Sequence, residues 1–207
     1  MEGKLLLYSA LTIYFFRCSF GRVIESPQYK VIHLESDFEI RQYRQVSWMS
    51  ALVQGTASFE KSTQQGFHRL YQYIHGANSN SSRLMMTSPV TTTITASTHG
   101  LDRLVRYYLP VMYAKNPPLP NSELNVQFEK WTSNCLAVRR FSGFAKDDNI
   151  NKEIDALMSS LSKYLPGSGA ISKYTIAQYN SSHHPSGRLN EVWLDVSAFT
   201  AEGCQPL

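Results

Sequence analysis

The sequence lacks an extended run of basic residues. Its 207 residues include 20 Lys or Arg and 16 Asp or Glu, which gives a net charge of +4 with only 17% of residues charged. Because a nucleic-acid-binding surface needs a basic stripe or cluster, we expect no nucleic-acid partner. The hydrophobic content of 43% is enough to fill a core, and with the low charge it argues against a disordered chain.

Cysteine is also scarce, and occurs only at Cys18, Cys135 and Cys204. The absence of a Cys-x-x-Cys pair excludes a zinc ribbon, and the absence of Cys-x-x-Cys-His excludes covalent haem attachment. Cys135 and Cys204 could form a bridge in an oxidising compartment, and the sequence alone leaves that pairing open.

The chain contains none of the short motifs that mark common catalytic sites. It has no Gly-x-Ser-x-Gly elbow, no His-Glu-x-x-His and no glycine-rich phosphate loop. Glu191 lies in an otherwise apolar segment, where a carboxylate is either a functional acid or the partner of an arginine. We expect the second role, with Arg188 or a structural arginine, and we therefore predict a binding protein and not an enzyme.

The first 21 residues are typical of a secretory signal peptide. Lys4 precedes an apolar run over residues 5–16, which is short for a transmembrane helix, and the small residues Ser19 and Gly21 precede Arg22. We expect cleavage before Arg22, one domain over residues 22–207, and a location in the secretory pathway, outside the cell or in an endomembrane lumen. The alternative is an uncleaved anchor, which would be the one membrane contact. Asn-x-Ser sequons at Asn80 and Asn180 are candidate glycosylation sites in this compartment.

Hydrophobic periodicity predicts two helices, over 58–75 and 147–165. In the first, Phe67, Leu70, Tyr71 and Ile74 form one apolar stripe, with Ser58 as the N-cap. Runs of β-branched and alternating residues predict strands at 29–34, 38–43, 46–54, 84–97, 101–109, 136–141, 171–179 and 189–196.

A strand–helix–strand–strand order occurs twice, in pseudo-repeats at about 37–114 and 123–196. The proline-rich segment 115–122 joins them. Two such units pair naturally into a closed or nearly closed antiparallel sheet with two packed helices, which is an α+β fold.

Six motifs follow one another along residues 25–196, namely Glu25-Ser26-Pro27-x-Tyr29, Glu39-Ile40-Arg41-x-Tyr43, Gly66-Phe67-x-x-Leu70-x-x-Tyr73-Ile74-x-Gly76-x-Asn78 with Met86-Thr87-x-Pro89-Val90, Ala137-Val138-Arg139-x-Phe141-Ser142-Gly143-Phe144, Gln178-Tyr179-Asn180 and Asn190-Glu191-Val192-Trp193. In this order they resemble the SOUL haem-binding-protein family, and the leader suggests a plant-type member with a signal peptide. The resemblance implies a distorted antiparallel β-barrel with two helices and internal pseudo-two-fold symmetry. It also implies a tetrapyrrole ligand, haem or another porphyrin, held reversibly and without a covalent bond.

The resemblance further implies a pocket lined by the first helix and by the loop from Ser181 to Arg188. The residues carried over are Gln64, Phe67, Tyr71 and Gln72 on the helix and His183, His184 and Arg188 on the loop. Phe67 and Tyr71 would flank a flat macrocycle, and Arg188 would pair with a propionate. Three positions depart from the family pattern: Gln64 and Gln72 replace basic residues, Gln42 replaces a histidine of some members, and the proline after Tyr179-Asn180 is postponed to Pro185.

The helix histidines His68 and His75 lie seven positions apart, which is about 10.5 Å along the axis, so they cannot both bind one iron. We expect apolar contact to dominate binding, with His68 as the first candidate for a secondary iron ligand and His183 or His184 next. His33 and His99 are expected to be structural. Two alternatives remain: a different amphipathic small molecule in the same fold, or, less favoured, an enzyme acting on a tetrapyrrole or an ester.

Overall fold

The computed structural model describes residues 24–55, 58–98, 100–166, 172–180 and 186–199. Within these residues, nine antiparallel strands form one sheet that curls into a half-barrel, in the order β1-β2-β7-β9-β8-β4-β5-β3-β6. The predicted α+β fold with two helices is thus confirmed. The elements are β1 (Tyr29–Leu34), β2 (Glu39–Tyr43), β3 (Val46–Val53), α1 (Phe59–Ile74), β4 (Val90–Ser97), β5 (Gly100–Tyr108), β6 (Val126–Trp131), β7 (Asn134–Ser142), α2 (Asp147–Tyr164), β8 (Lys173–Gln178) and β9 (Leu189–Asp195).

The sheet contains the predicted repeat with one more strand in each half. β2-β3-α1-β4-β5 and β6-β7-α2-β8-β9 have the same order of elements, and they exchange their first strands, since β2 pairs with β7 and β6 pairs with β3. β4 pairs with β8 at the centre, where the hydroxyls of Thr93 and Thr175 lie 2.7 Å apart. β6 was not predicted because its residues mix polar and apolar types on both faces, as suits a sheet edge.

The strand predicted at 84–97 begins later, at Val90. The residues before it cross the end of β5 and bond to other elements: Leu84 N donates to Ile74 O, and Thr87 Oγ1 donates to Tyr108 O. Pro89, which lacks an N–H, marks the boundary.

Helix α1 begins as predicted, with the Ser58 hydroxyl accepting from Lys61 N at 3.4 Å, and ends before Gly76, whose φ is +110°. Tyr71, a member of the predicted apolar stripe, lies outside the buried face of α1, since it is 45% exposed. At 100° per residue, the small residues at 62 and 66 centre the buried face so that position 73 faces inward and position 71 outward. The buried residues of α1 are Phe59, Ser62, Gly66, Leu70, Tyr73 and Ile74.

The two helices pack on different strands of the sheet and meet at their N-termini. α1 packs on β3 and β5, and α2 packs mainly on β7 and β9. The Asp147 carboxylate, at the start of α2, accepts a hydrogen bond from Phe59 N, at the start of α1. Neither helix among the described residues is long and apolar enough to cross a membrane. Trp48 and Trp193 are buried.

Cys135 lies in β7, is 1% exposed and is disulfide-bonded. The other two cysteines of the chain, Cys18 and Cys204, lie outside the described residues, so the pairing of Cys135 with Cys204 stays open. The C-terminal segment runs past Cys135, since Val196 N donates to Cys135 O and Cys135 N donates to Ser197 Oγ.

Candidate functional site

The outward face of α1 carries most of the predicted site. Gln64, His68, Tyr71 and Gln72 are exposed there, while Phe67 is half-buried. This arrangement follows from the helical period, since these positions lie opposite the stripe that packs on β3 and β5. The exposed face of α1 therefore carries polar and aromatic side chains.

An open cleft of about 500 Å³ lies between α1 and β3. Its residues are Leu52 and Val53 of β3 and Gln64, Gln65, His68 and Arg69 of α1. Gln64 and His68 were predicted, whereas Gln65 and Arg69 were not. The cleft is apolar on its strand side and polar on its helix side, which suits an amphipathic ligand.

Phe67 and Tyr71 do not line this cleft. Phe67 packs against the core on the other flank of the helix, one turn after Thr63, whose hydroxyl lies 2.9 Å from that of Thr92 on β4. The ring centroids of Phe67 and Tyr71 are 6.2 Å apart, and those of Tyr71 and His75 are stacked at 3.8 Å. The predicted helix residues thus lie on two sides of α1. Gln64 and His68 line the cleft, whereas the rings of Phe67, Tyr71 and His75 form a row from the side near β4 onto the exposed face.

The two helix histidines differ in how their rings are held. The Gln72 amide Nε2 lies 3.0 Å from His68 Nε2, so the imidazole Nε2 accepts this hydrogen bond with its lone pair. In contrast, His75 Nδ1 donates to Tyr71 O at 2.8 Å, which leaves the lone pair of the exposed Nε2 for another partner. Histidines that bind metals are commonly fixed in this second way. The spacing of four residues between Tyr71 and His75 was the signal in the sequence that could have identified His75, because residues at this spacing are neighbours on a helix.

Arg188 and Asn180 hold the start of β9 in place. Arg188 is 5% exposed, its guanidinium lies 4.5 Å from the centre of the Phe144 ring, and its Nη2 donates to Asn180 O. Leu189 N donates to Asn180 Oδ1 at 2.7 Å. The pairing of Arg188 with a propionate stays a prediction. His183 and His184 lie outside the described residues.

Glu191 pairs with a structural arginine, as expected, and that arginine is Arg41. Arg41 Nη1 donates to both carboxylate oxygens at 3.0 and 3.1 Å. Tyr179 OH and Trp193 Nε1 donate to Oε2 at 2.7 and 2.8 Å, and burial raises the pKa of Tyr179 far above its usual value. Because its oxygens are occupied by these donors, the carboxylate joins strands and is not free for proton transfer.

A metal already held in a macrocycle needs fewer protein ligands than a free ion. No group of three or more His, Cys, Asp or Glu side chains in the described part of the chain could hold a metal. Iron in a porphyrin already has four nitrogen ligands and needs at most one or two axial donors. A single exposed imidazole beside an apolar surface can supply that donor.

Comparison with known proteins agrees with the sequence motifs. Residues 24–195 match a family model described as SOUL heme-binding protein. Heme-binding protein 2 of Homo sapiens is 29% identical over 182 residues, which cover 84% of this chain and 87% of the relative. Heme-binding protein 1 of Xenopus laevis is 31% identical over 159 residues, which cover 75% and 82%. The EcmrR C-terminal domain has a similar fold, with a TM-score of 0.54 at 10% identity over 81% of this chain and 96% of that one, and this likeness concerns the fold alone. The chain belongs to the SOUL heme-binding protein family.

Proposed function

We propose that this chain binds haem or another tetrapyrrole reversibly, without a covalent bond, and serves as a carrier or buffer and not as an enzyme. The observation that carries the proposal is the open cleft beside the exposed His68, with Leu52 and Val53 as its apolar side. Membership of a family described by haem binding supports the choice of ligand.

Apolar contact would supply most of the affinity. If a few hundred Å² of apolar surface leave water at about 25 cal/mol per Å², the gross gain is roughly 8–10 kcal/mol. Lost translational freedom and side-chain ordering reduce this to roughly micromolar affinity. Haem would bring the iron and the flat apolar ring, while the chain supplies the strand surface, an imidazole and cationic side chains.

The proposal is tested by titrating the purified protein with haem and with metal-free protoporphyrin, following the Soret band and porphyrin fluorescence. Because apolar contact dominates, the two affinities should agree within about tenfold. His68→Ala should change the haem spectrum more than the affinity, since an iron bond is secondary. His33→Ala is the control, because His33 lies on β1 at the far edge of the sheet.

Two results would contradict this account in different ways. Metal-free porphyrin binding a hundredfold more weakly than haem would show that iron ligation dominates. No spectral change with haem at concentrations up to about 100 μM would show that the cleft takes a different amphipathic ligand.

The proposed location is the secretory route, outside the cell or in an endomembrane lumen, after loss of residues 1–21. The disulfide at Cys135 supports an oxidising compartment. Asn80 is exposed, with only its Oδ1 accepting from Ser79, whereas Asn180 is half-buried. Asn80 is therefore the better placed of the two proposed glycosylation sites.

A further inference from the structure

Arg69 is a positively charged residue of the α1–β3 cleft that the motifs did not point to. Its guanidinium is held in place by two backbone carbonyls: Nη2 donates to Leu52 O at 2.5 Å, and Nη1 donates to Asn125 O at 3.3 Å. Both acceptors are neutral, so they orient the guanidinium without neutralising its charge. Two of its five N–H groups are used in these bonds, which leaves donors for an incoming acceptor.

The charge of Arg69 has no acidic partner in the described part of the chain. Arg41, Arg106 and Arg139 each have a carboxylate oxygen within 4.0 Å, and Arg69 has none there. The lining of the cleft also contains no Asp or Glu. Burial lowers the pKa of Arg69, which means that its charged form bears a desolvation cost that no neighbouring anion offsets.

We infer that Arg69 makes the cleft selective for ligands that carry a carboxylate at the edge of an apolar body. This inference rests on the proposed function, because it concerns the same cleft. Arg69 follows His68 in the sequence and lies on the side of α1 that faces β3, where it donates to the Leu52 carbonyl. An apolar ring against Leu52 and Val53 can therefore place an acidic edge beside the guanidinium.

Selectivity should depend measurably on this one residue. The neighbouring helix positions Gln64 and Gln65 are uncharged, so they can donate hydrogen bonds but cannot replace a lost positive charge. Hydrogen bonds between a guanidinium and a carboxylate are about twice as strong as neutral ones. We expect the free acid of a porphyrin to bind about tenfold more tightly than its diester.

The experiment compares protoporphyrin with its dimethyl ester, both free of metal, so that iron ligation cannot contribute. Binding to the full chain is followed by porphyrin fluorescence for the wild type and for Arg69→Gln, Arg69→Lys and Lys152→Gln. Arg69→Gln should bring the ratio of the two affinities close to one by weakening only the acid. Arg69→Lys should keep part of the ratio, and Lys152→Gln, an equal charge change on the exposed face of α2, should keep all of it.

Other outcomes identify which idea fails. A wild type that binds acid and ester equally, or an Arg69→Gln variant that weakens both equally, would overturn the role of Arg69 while porphyrin binding stands. Failure of both porphyrins to bind the wild type would instead reject the proposed function. If Arg69→Gln does not fold, the wild type still decides: raising the salt concentration should weaken binding of the acid and not of the ester, and an equal salt effect overturns the inference.

Discussion

The side chain of Glu191 links three strands of the sheet. It accepts hydrogen bonds from Arg41 on β2, Arg140 on β7 and Trp193 on β9, and from Tyr179 just after β8. Glu191 is 2% exposed and Arg41 is fully buried, so each charge depends on the other for compensation. Burial lowers the pKa of Arg41, but the charges of Glu191 and Glu39 outweigh this effect and raise it, so Arg41 stays protonated.

Removing the charge of Glu191 should therefore destabilise the protein strongly. Glu191→Gln keeps the shape but leaves Arg41 with Glu39 as its only carboxylate, and we expect the free energy of unfolding to fall by roughly 3 kcal/mol or more. Urea unfolding measures the change. The double variant Arg41→Met/Glu191→Leu is the control and should recover much of the loss, because no buried charge remains uncompensated. A single variant as stable as the wild type would show that the pair contributes no stability.

At the scale of the element, α1 lies against the sheet at Gly66 with no room for a side chain. A Cβ built at this position would lie 2.4 Å from Val105 Cγ2, closer than real contacts allow. The glycine lets the helix backbone settle on β5, while the neighbouring Leu70 is fully buried in the same interface. The position of the cleft depends on this contact, since its helix side belongs to the same helix.

Gly66→Ala should destabilise the fold although alanine favours helices. Alanine gains about 1 kcal/mol in helix propensity over glycine, but the overlap with Val105 should cost roughly 1–3 kcal/mol. Leu70→Ala, which leaves a cavity, should cost roughly 2–5 kcal/mol. Tyr71→Ala is the matched control on the exposed face and should change the denaturation midpoint little. An unchanged midpoint for Leu70→Ala would show that the buried face of α1 is misassigned.

Helices and strands were predicted well where the apolar period was strong. The prediction was poorer where the packing of one element on another determines which residues are buried. Both helices and most strands were found within a few residues, because the spacing of Leu70 and Ile74 or of Ile150 and Ile154 allows one interpretation. The side chain of Tyr73 faces the core because Gly66 lies on the buried face of α1. A glycine adds nothing to an apolar pattern, so the sequence did not indicate this orientation. Arg69 could not be identified as a cleft residue, because its role depends on carbonyls of β3 and of the segment before β6 that are distant in sequence.

At the scale of the whole molecule, the two sides of the sheet carry equivalent ion pairs with exchanged signs. On one side the arginine, Arg41, is on β2 and the carboxylate, Glu191, is on β9. On the other side the arginine, Arg106, is on β5 and the carboxylate, Glu129, is on the edge strand β6, with 2.7 Å between Nε and Oε2. Each pair spans one intervening strand. The repeat in the sequence predicted the halves, but these pairings join residues of different halves and could not be predicted.

Processing of the whole chain should be visible in its mass. Because the apolar run at 5–16 follows Lys4 and precedes small residues, protein from its native tissue should begin near Arg22. Peptide mass spectrometry with enzymatic glycan removal should find Asn80 occupied more fully than Asn180, whose Oδ1 is held by Leu189 N. An intact Met1 in the mature protein would contradict cleavage.

Because the halves exchange their first strands, there is an interval during synthesis in which the chain is prone to associate with other chains. β2 is complete at Tyr43, but its partner β7 begins only at Asn134, and at usual elongation rates of about 5–20 residues per second the ribosome needs roughly 5–20 s to reach it. During this interval one edge of β2 and one edge of β3 remain unpaired, and such edges invite association with other chains. A message that ends after the first half should therefore produce an aggregation-prone fragment and not a small stable domain, and we expect this nascent chain to need protection until the second half has emerged.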